Sequence, residues 1–335
     1  MDNKTLFKQA NLGLMVHFGL YSMLGGEYNG QRLPFRYGAF NSEWIQHVCK
    51  IPNAEYSKLV NAFNPIYFNA DEWAKMAVDA GMTYVVVTSK HHDGFALFNS
   101  KWDDFNSVKS PFKRDLIEEI ANACVKNNLK LGLYYSQEMD WHDPNGGGGL
   151  PWTNTWDFPD EDKKDFSKCF DGKTTFQMKE LLTNYGDLFL LWCDNPVQMT
   201  QDQSIRLYDM IKKYQPDCLV NSRIGNGIGD YRSCGDNVIE FDREKEEAIP
   251  DEINARSMEY AVGGRTGLYE CPATIGYSWG YCSYDEYKKA DDLIATKENL
   301  NKHGVNYLLN VGPDGLGRFP VSAIEILKSF GKINK

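Results

Sequence analysis

The sequence predicts an α/β fold of the (β/α)8-barrel type, and three observations predict it. Strand-like apolar runs alternate with amphipathic helical stretches along most of the 335 residues, the pattern of βαβ units around a parallel sheet. These runs end in residues that hydrogen-bond or ionise, as expected where the C-terminal rim of a barrel carries the chemistry. No G-x-G-x-x-G or P-loop pattern follows any strand, which disfavours the alternative, a doubly wound open sheet.

Taken in order, the first run, Leu12-Gly13-Leu14-Met15-Val16, closes on His17-Phe18-Gly19. A Gly-, Tyr- and Arg-rich loop over 25–40 leads to a helix expected at 43–49, with Ser42 as its cap. The amphipathic segment 71–81 ends in glycine and feeds the strand 83–88, whose β-branched composition reads as fully buried. Lys90-His91-His92-Asp93-Gly94-Phe95 follows at once. Neighbouring side chains at such an exit splay apart, so His91 and His92 are expected to touch different parts of one small polar ligand.

The helix 114–127 carries Leu116, Ile117, Ile120, Ala121 and Cys124 at helical spacing, and the strand 129–136 after it ends in Tyr134-Tyr135-Ser136. From 138 to 172 periodicity is lost: Asp140-Trp141-His142-Asp143-Pro144-Asn145 runs into four glycines, 146–149, and then a Trp- and Asp-rich segment. So long a loop in a compact domain is expected to be functional or mobile. Helices over 175–184 and 203–214 flank the strand that ends in Leu191-Trp192-Cys193-Asp194, and a further strand is expected at 218–223. The stretch 224–264 is Gly-rich and then acidic, and is expected to form active-site loops. Leu268-Tyr269-Glu270 is a short strand candidate; a helix over 284–303, a last strand over 305–311 and a closing helix over 320–334 complete the chain. Seven strand candidates against the eight of a full barrel predict one weak or missing strand between 224 and 270. No repeat or linker interrupts the pattern, so residues 1–335 read as a single domain.

A net charge of −10 and a pI near 5.2 exclude nucleic acid and acidic membranes as partners and favour a neutral substrate. Aromatic residues make up 13% of the chain, and rings with a polar edge suit the apolar faces of sugars. The 8 cysteines are dispersed without a C-x-x-C pair and are expected to be thiols. The N-terminus shows no basic segment followed by an apolar stretch, and no window reaches ~18 apolar residues. The chain as given reads as cytoplasmic, or secreted if a leader has been removed; nothing in it specifies an oligomeric state.

Asp194 carries the most weight for chemistry, because a carboxylate at the end of an apolar strand is costly to bury unless it is hydrogen-bonded and used. With His17, His91, His92 and Tyr135 on neighbouring strand ends, it forms one carboxylate nucleophile ringed by partners for several hydroxyls, the composition of a glycosidase subsite. Cleavage with retention needs a second carboxyl roughly 5 Å away to shuttle the proton. Asp230, Asp236, Glu240 and Glu270 are all candidates for it. His17, His91, His92 and Asp194 also suit a divalent ion. Metal-dependent barrels usually open with a paired histidine on the first strand, and this chain has one histidine there, so neither a metal nor another cofactor is expected.

These residues resemble a known family, the α-L-fucosidases of glycoside hydrolase family twenty-nine. The resemblance rests on Met15-Val16-His17-Phe18-Gly19, Glu43-Trp44, His91-His92-Asp93-Gly94-Phe95, Gly132-Leu133-Tyr134-Tyr135-Ser136, Leu191-Trp192-Cys193-Asp194, Asn221-Ser222-Arg223, Ser278-Trp279-Gly280-Tyr281 and Leu308-Leu309-Asn310-Val311-Gly312-Pro313, in family order along almost the whole chain. It implies a barrel that hydrolyses terminal α-L-fucosides with retention and without a metal, acting on a fucosylated oligosaccharide or glycoconjugate. By resemblance Asp194 is the nucleophile, and His17, Glu43, Trp44, His91, His92, Tyr135, Arg223 and Trp279 hold the fucose. For the acid/base the resemblance favours Asp236, then Glu270, then Glu240. The family often carries a C-terminal β-sandwich, whereas here one helix follows the last strand, so the resemblance is to the catalytic domain alone. A catalytically silent fucose-binding barrel and a hydrolase of a related sugar such as an α-L-galactoside are the alternatives.

Overall fold

The computed structural model describes residues 2–36, 38–242, 244 and 266–333. Eight parallel strands stand in chain order: β1 Leu12–Val16, β2 Tyr84–Lys90, β3 Lys130–Tyr135, β4 Leu190–Cys193, β5 Leu219–Val220, β6 Arg232–Ser233, β7 Tyr269–Thr274 and β8 Val305–Val311. β1 pairs with both β2 and β8. At the far side a parallel bridge between Asn221 and Tyr231 joins the β5 and β6 ends of the ladder, and the barrel closes there. The weak strand expected between 224 and 270 is β6, two residues long. β5 and β6 are linked by the turn Ser222–Ile224 and a short loop instead of a helix. The remainder of the expected acidic loop, 243 and 245–264, lies outside the described residues.

Strand alternation divides the apolar residues into two layers. Met15, Tyr84, Val86, Tyr134, Leu190, Trp192 and Leu308 point inward and fill the barrel. Leu14, Val85, Val87, Leu131, Leu133 and Leu191 point outward into the helical layer. These side chains fit inside because glycines face two of them. A Cβ built on Gly13 would stand 2.3 Å from the Tyr84 ring, and one on Gly132 would stand 2.8 Å from Leu190.

The helical layer is capped where its sequence allows. Asn69 accepts from the Glu72 N–H to start the helix Ala70–Asp79, Asp115 accepts from the Glu118 N–H to start Leu116–Lys126, and Thr200 with Gln203 forms a capping box for Gln201–Tyr214. Two expectations are corrected. Ser42 does not cap: its hydroxyl is hydrogen-bonded to that of Ser278 at 2.9 Å, and a 3₁₀ turn, Ser42–Trp44, precedes the helix Ile45–Val48. The helix expected from 284 begins at Ala290, because the residues before it buttress β7. The Asp285 carboxylate accepts from the Tyr277 N–H, and Lys288 Nζ donates to the Thr274 carbonyl.

Gly13→Ala should lower stability by about 1–3 kcal/mol in urea denaturation, since the added methyl group drives into the Tyr84 ring at the barrel floor. An unchanged midpoint would mean that the floor repacks freely.

Candidate active site

At the C-terminal ends of the strands a pocket of about 190 Å³ opens, small enough to hold a single sugar ring. His17 follows β1, His91 follows β2, Tyr134 ends β3, and Trp192 with Asp194 and Asn195 ends β4. Arg223 follows β5, Asp236 follows β6, and Trp279 follows β7. Asn41, Glu43 and Trp44, from the loop after β1, complete the wall.

Arg223 is the centre of the charge arrangement. It is buried, its guanidinium lies 4.6 Å over the Trp192 ring, and it donates through Nη1 to Asp194 Oδ1 at 3.1 Å and through Nη2 to Asp236 Oδ1 at 2.5 Å. Burial would lower its pKa, but the Asp236 and Asp194 carboxylates outweigh that and hold the guanidinium charged. Asp194 makes three further bonds. Tyr134 Oη donates to its Oδ2 at 2.8 Å, Asn195 Nδ2 donates to the same oxygen at 3.1 Å, and its own N–H donates to Gln137 Oε1 at 2.7 Å. Asp194 is therefore oriented on both oxygens. Tyr134 in turn stacks on Trp192 and on His91, both at 5.5 Å between ring centroids and 19° between planes.

The hydrogen bonds fix the histidine tautomers. Asn310 Nδ2 donates to the Trp279 carbonyl, which turns its Oδ1 towards His17 Nδ1 at 2.7 Å; Nδ1 must then carry the proton, and Nε2 is left as an acceptor. Burial pulls the His17 pKa down to about 4, so the ring is neutral at physiological pH. In His92, Nε2 accepts from Asn195 Nδ2 at 3.0 Å and Nδ1 donates to Ser136 Oγ, whose own proton goes to the Met139 carbonyl. His91 and His92 are both held far below the usual histidine range, first by burial and then by neighbouring rings and Lys90. Glu43 Oε2 accepts from the Gly280 N–H at 3.0 Å, while burial pushes its carboxyl up to about 7. Around the ionic triad the pocket thus offers neutral histidines, a tyrosine, amides and the Glu43 carboxyl, which burial shifts towards its protonated form, and among the described residues no group of three or more His, Cys, Asp or Glu stands close enough to hold a metal ion.

The structure brings His17, Glu43, Trp44, His91, Asp194, Arg223, Asp236 and Trp279 together around the pocket. It moves others out. His92 stands behind the wall: its Nε2 accepts from Asn195 Nδ2, its Nδ1 donates to Ser136 Oγ, and its ring lies 5.0 Å from that of Trp44. Tyr135 points outward, its hydroxyl donating to Gln177 Oε1 at 2.9 Å, and the inward tyrosine is Tyr134. Glu270 lies at the barrel floor, 0% exposed, accepting from Tyr84 Oη at 2.7 Å and from Trp192 Nε1 at 2.9 Å. It is beneath the pocket and cannot reach a leaving group, whereas the Asp236 side chain is 49% exposed at the rim. Asp230 closes the base of β5 through Tyr208, Lys212 and the Val220 N–H, and Glu240 is exposed away from the pocket. Asn41, Tyr134, Trp192 and Asn195 are wall residues that sequence reasoning missed. Strand parity was the available signal for Tyr134 and Trp192, two residues apart from the inward Gly132 and Leu190.

Known proteins resemble the chain over this whole span. The sequence model of the family described as alpha-L-fucosidase matches residues 1–334. An α-L-fucosidase of Dictyostelium discoideum is 26% identical over 357 residues, covering 97% of this chain and 68% of its own. The α-L-fucosidase of Lactobacillus casei, solved with its α-L-fucose product, is 45% identical, with a TM-score of 0.88, 99% of this chain and 98% of that chain covered. A variant of that enzyme holding Fucα(1,6)GlcNAc is 45% identical, with a TM-score of 0.86 and the same coverage, 99% and 98%. The chain spans between about half and about two thirds of the length of the curated relatives it matches.

Burial pushes the Glu270 carboxyl up from 4.5 to about 7. The folded state therefore keeps a proton that the unfolded chain gives up, so this group's contribution to stability is complete below pH 4.5 and is lost as pH rises through about 7. Glu270→Gln removes that dependence. The difference in melting temperature, variant minus wild type, should rise over this interval; a flat difference would show that Glu270 does not titrate there.

Proposed function

We propose that this chain, which belongs to the α-L-fucosidase family, is an exo-acting glycoside hydrolase that removes terminal α-L-fucosyl residues from oligosaccharides or glycoconjugates with retention of configuration. The observation that carries the reading is the Arg223 bridge, which holds two carboxylates at the mouth of a sugar-sized pocket whose histidines burial keeps neutral. Retention needs two carboxyls roughly 5 Å apart, and two groups sharing one guanidinium suit that spacing.

Asp194, aimed from both sides, attacks the anomeric carbon, and Asp236 at the rim protonates the departing oxygen. Water, deprotonated by Asp236, then attacks the glycosyl ester from the opposite side. As that ester breaks, Arg223, Tyr134 and Asn195 already donate to the returning carboxylate, so charge develops where donors wait. His17 Nε2 accepts a sugar hydroxyl, and Trp279, 5.3 Å from His17 between ring centroids, faces the apolar edge of the ring. A neutral fucoside suits a chain of net charge −10.

Asp194→Gly should lose several orders of magnitude in turnover, and azide should restore it with a fucosyl azide of inverted configuration as product. Asp236→Ala should cripple cleavage of disaccharides while sparing the fucosylation step with a 4-nitrophenyl leaving group. Near-native turnover by the Asp194 variant would refute the nucleophile, and a wild type that binds fucose without cleaving the aryl fucoside would make the chain a silent binding barrel.

The two adjacent tyrosines should separate cleanly. Tyr134→Phe deletes a bond to the nucleophile and should lower kcat/KM by roughly ten- to a hundredfold, the scale of a charge-assisted hydrogen bond. Tyr135→Phe should leave kinetics unchanged and cost about 1 kcal/mol in urea denaturation. The reverse pattern would mean that the β3 side chains are assigned to the wrong faces.

A further inference from the structure

The glycine run and the Trp-rich loop between β3 and the helix Thr175–Asn184 have no part in the pocket itself, yet they are built firmly at its mouth. Glu138, buried and directly below the loop, is the bolt. Its carboxylate accepts from the Gly148 N–H at 2.9 Å on one side, and from the Gln198 and Met199 N–H groups, at 2.8 and 2.9 Å, on the other. The glycines make this approach possible: a Cβ on Gly147 would stand 2.5 Å from Glu138 Cγ, and one on Gly146 would stand 2.0 Å from the Asp140 carbonyl oxygen. Trp141 Nε1 donates to the Trp152 carbonyl at 2.9 Å, and His47 Nε2 bonds the Pro151 carbonyl at 2.9 Å.

A loop held this tightly nonetheless displays two large apolar side chains to solvent, Leu150 at 65% exposure and Trp152 at 43%. Apolar surface kept exposed on a rigid support beside a catalytic pocket marks a contact site. Two grooves run from the pocket past Trp44, one shared with Asn195 and the other with Asn41, and both pass Trp152. The first is lined by Leu150, Pro196 and Val197 and is predominantly apolar.

We propose that the ridge formed by Trp44 and Trp152, with Leu150, Pro196 and Val197 beside it, is the subsite for the sugar to which the fucosyl residue is linked, the apolar face of that ring packing on Trp152. The assignment rests on the hydrolase reading above. A ring tethered to the fucose through one glycosidic oxygen has to lie just beyond the pocket wall, and Trp44 and Asn195 belong to both that wall and this apolar groove. The bolted loop presents its platform already ordered, so little rotational freedom is lost on binding.

The test uses two leaving groups of opposite extent: α-L-fucosyl fluoride, whose leaving group is one atom, and fucosyl-N-acetylglucosamines of 1→3, 1→4 and 1→6 linkage. Trp152→Ala should lower kcat/KM on the preferred disaccharide by about tenfold, chiefly through KM, the scale of one lost ring contact. Turnover of the fluoride should stay within about twofold of wild type, and Trp152→Phe should recover most of the loss. Leu150→Ala, a smaller change at a more exposed site, should show the same split in weaker form, and melting curves establish that each variant is folded. Equal losses on both substrates, or an unchanged disaccharide, would overturn the assignment, as would a wild type that cleaves the fluoride and none of the three disaccharides. A wild type inert towards the fluoride would remove the hydrolase reading itself, and the subsite with it.

Discussion

A buried guanidinium between two carboxylates is the constraint around which the rest of this barrel is arranged. Arg223 is expensive to bury, and Asp194 and Asp236, with the Cys234 carbonyl, make it tolerable. Its hydrogen bonds set the distance between the two acids, and its plane rests on Trp192, whose ring is fixed from below by Glu270. Tyr134 stacks on Trp192 and His91 on Tyr134, so a column of flat groups from three strands becomes the pocket floor. Gly13 matters for the same reason, since a ring the size of Tyr84 enters a barrel only where a facing strand gives up its side chain.

The second consequence is electrical. With charge confined to the Arg223 triad, the remaining polar groups serve best as neutral partners, and burial keeps them so. His17, His91 and His92 are pushed down, while Glu43 and Glu270 are pushed up. Hydroxyls of an uncharged ligand then meet lone pairs and protons whose positions are fixed before binding. Asn310 illustrates the depth of this ordering: its amide, oriented by the Trp279 carbonyl, decides which nitrogen of His17 carries the proton.

Much of this was legible in the sequence. Apolar runs ending in His17, His91 and Asp194 located three walls of the pocket, and the shortage of one strand was placed in the segment where β6 proves to be two residues long. What failed was parity. Tyr134 and Tyr135 are chemically alike and adjacent, and which one faces inward depends on the register of β3 against β4, which composition does not encode. His92 shows the same limit, because a polar side chain at a strand exit reads alike whether it faces the pocket or, as here, bonds Asn195 behind the wall. Glu270 is a second choice for the acid/base by family resemblance alone; its partners, Tyr84 and Trp192, come from strands far away in the chain and hold it at the barrel floor.

The link between β5 and β6 follows a different rule from the other connections described, replacing a covering helix with a 3₁₀ turn. Among the described residues no α-helix stands between β5 and β6, so Arg223 and Asp236 follow two strands of two residues each that are close together in the chain. The guanidinium and the rim carboxylate are consequently 13 residues apart in the chain, so the ion pair across the pocket mouth also fastens a local loop, whose closure costs less entropy than joining distant segments.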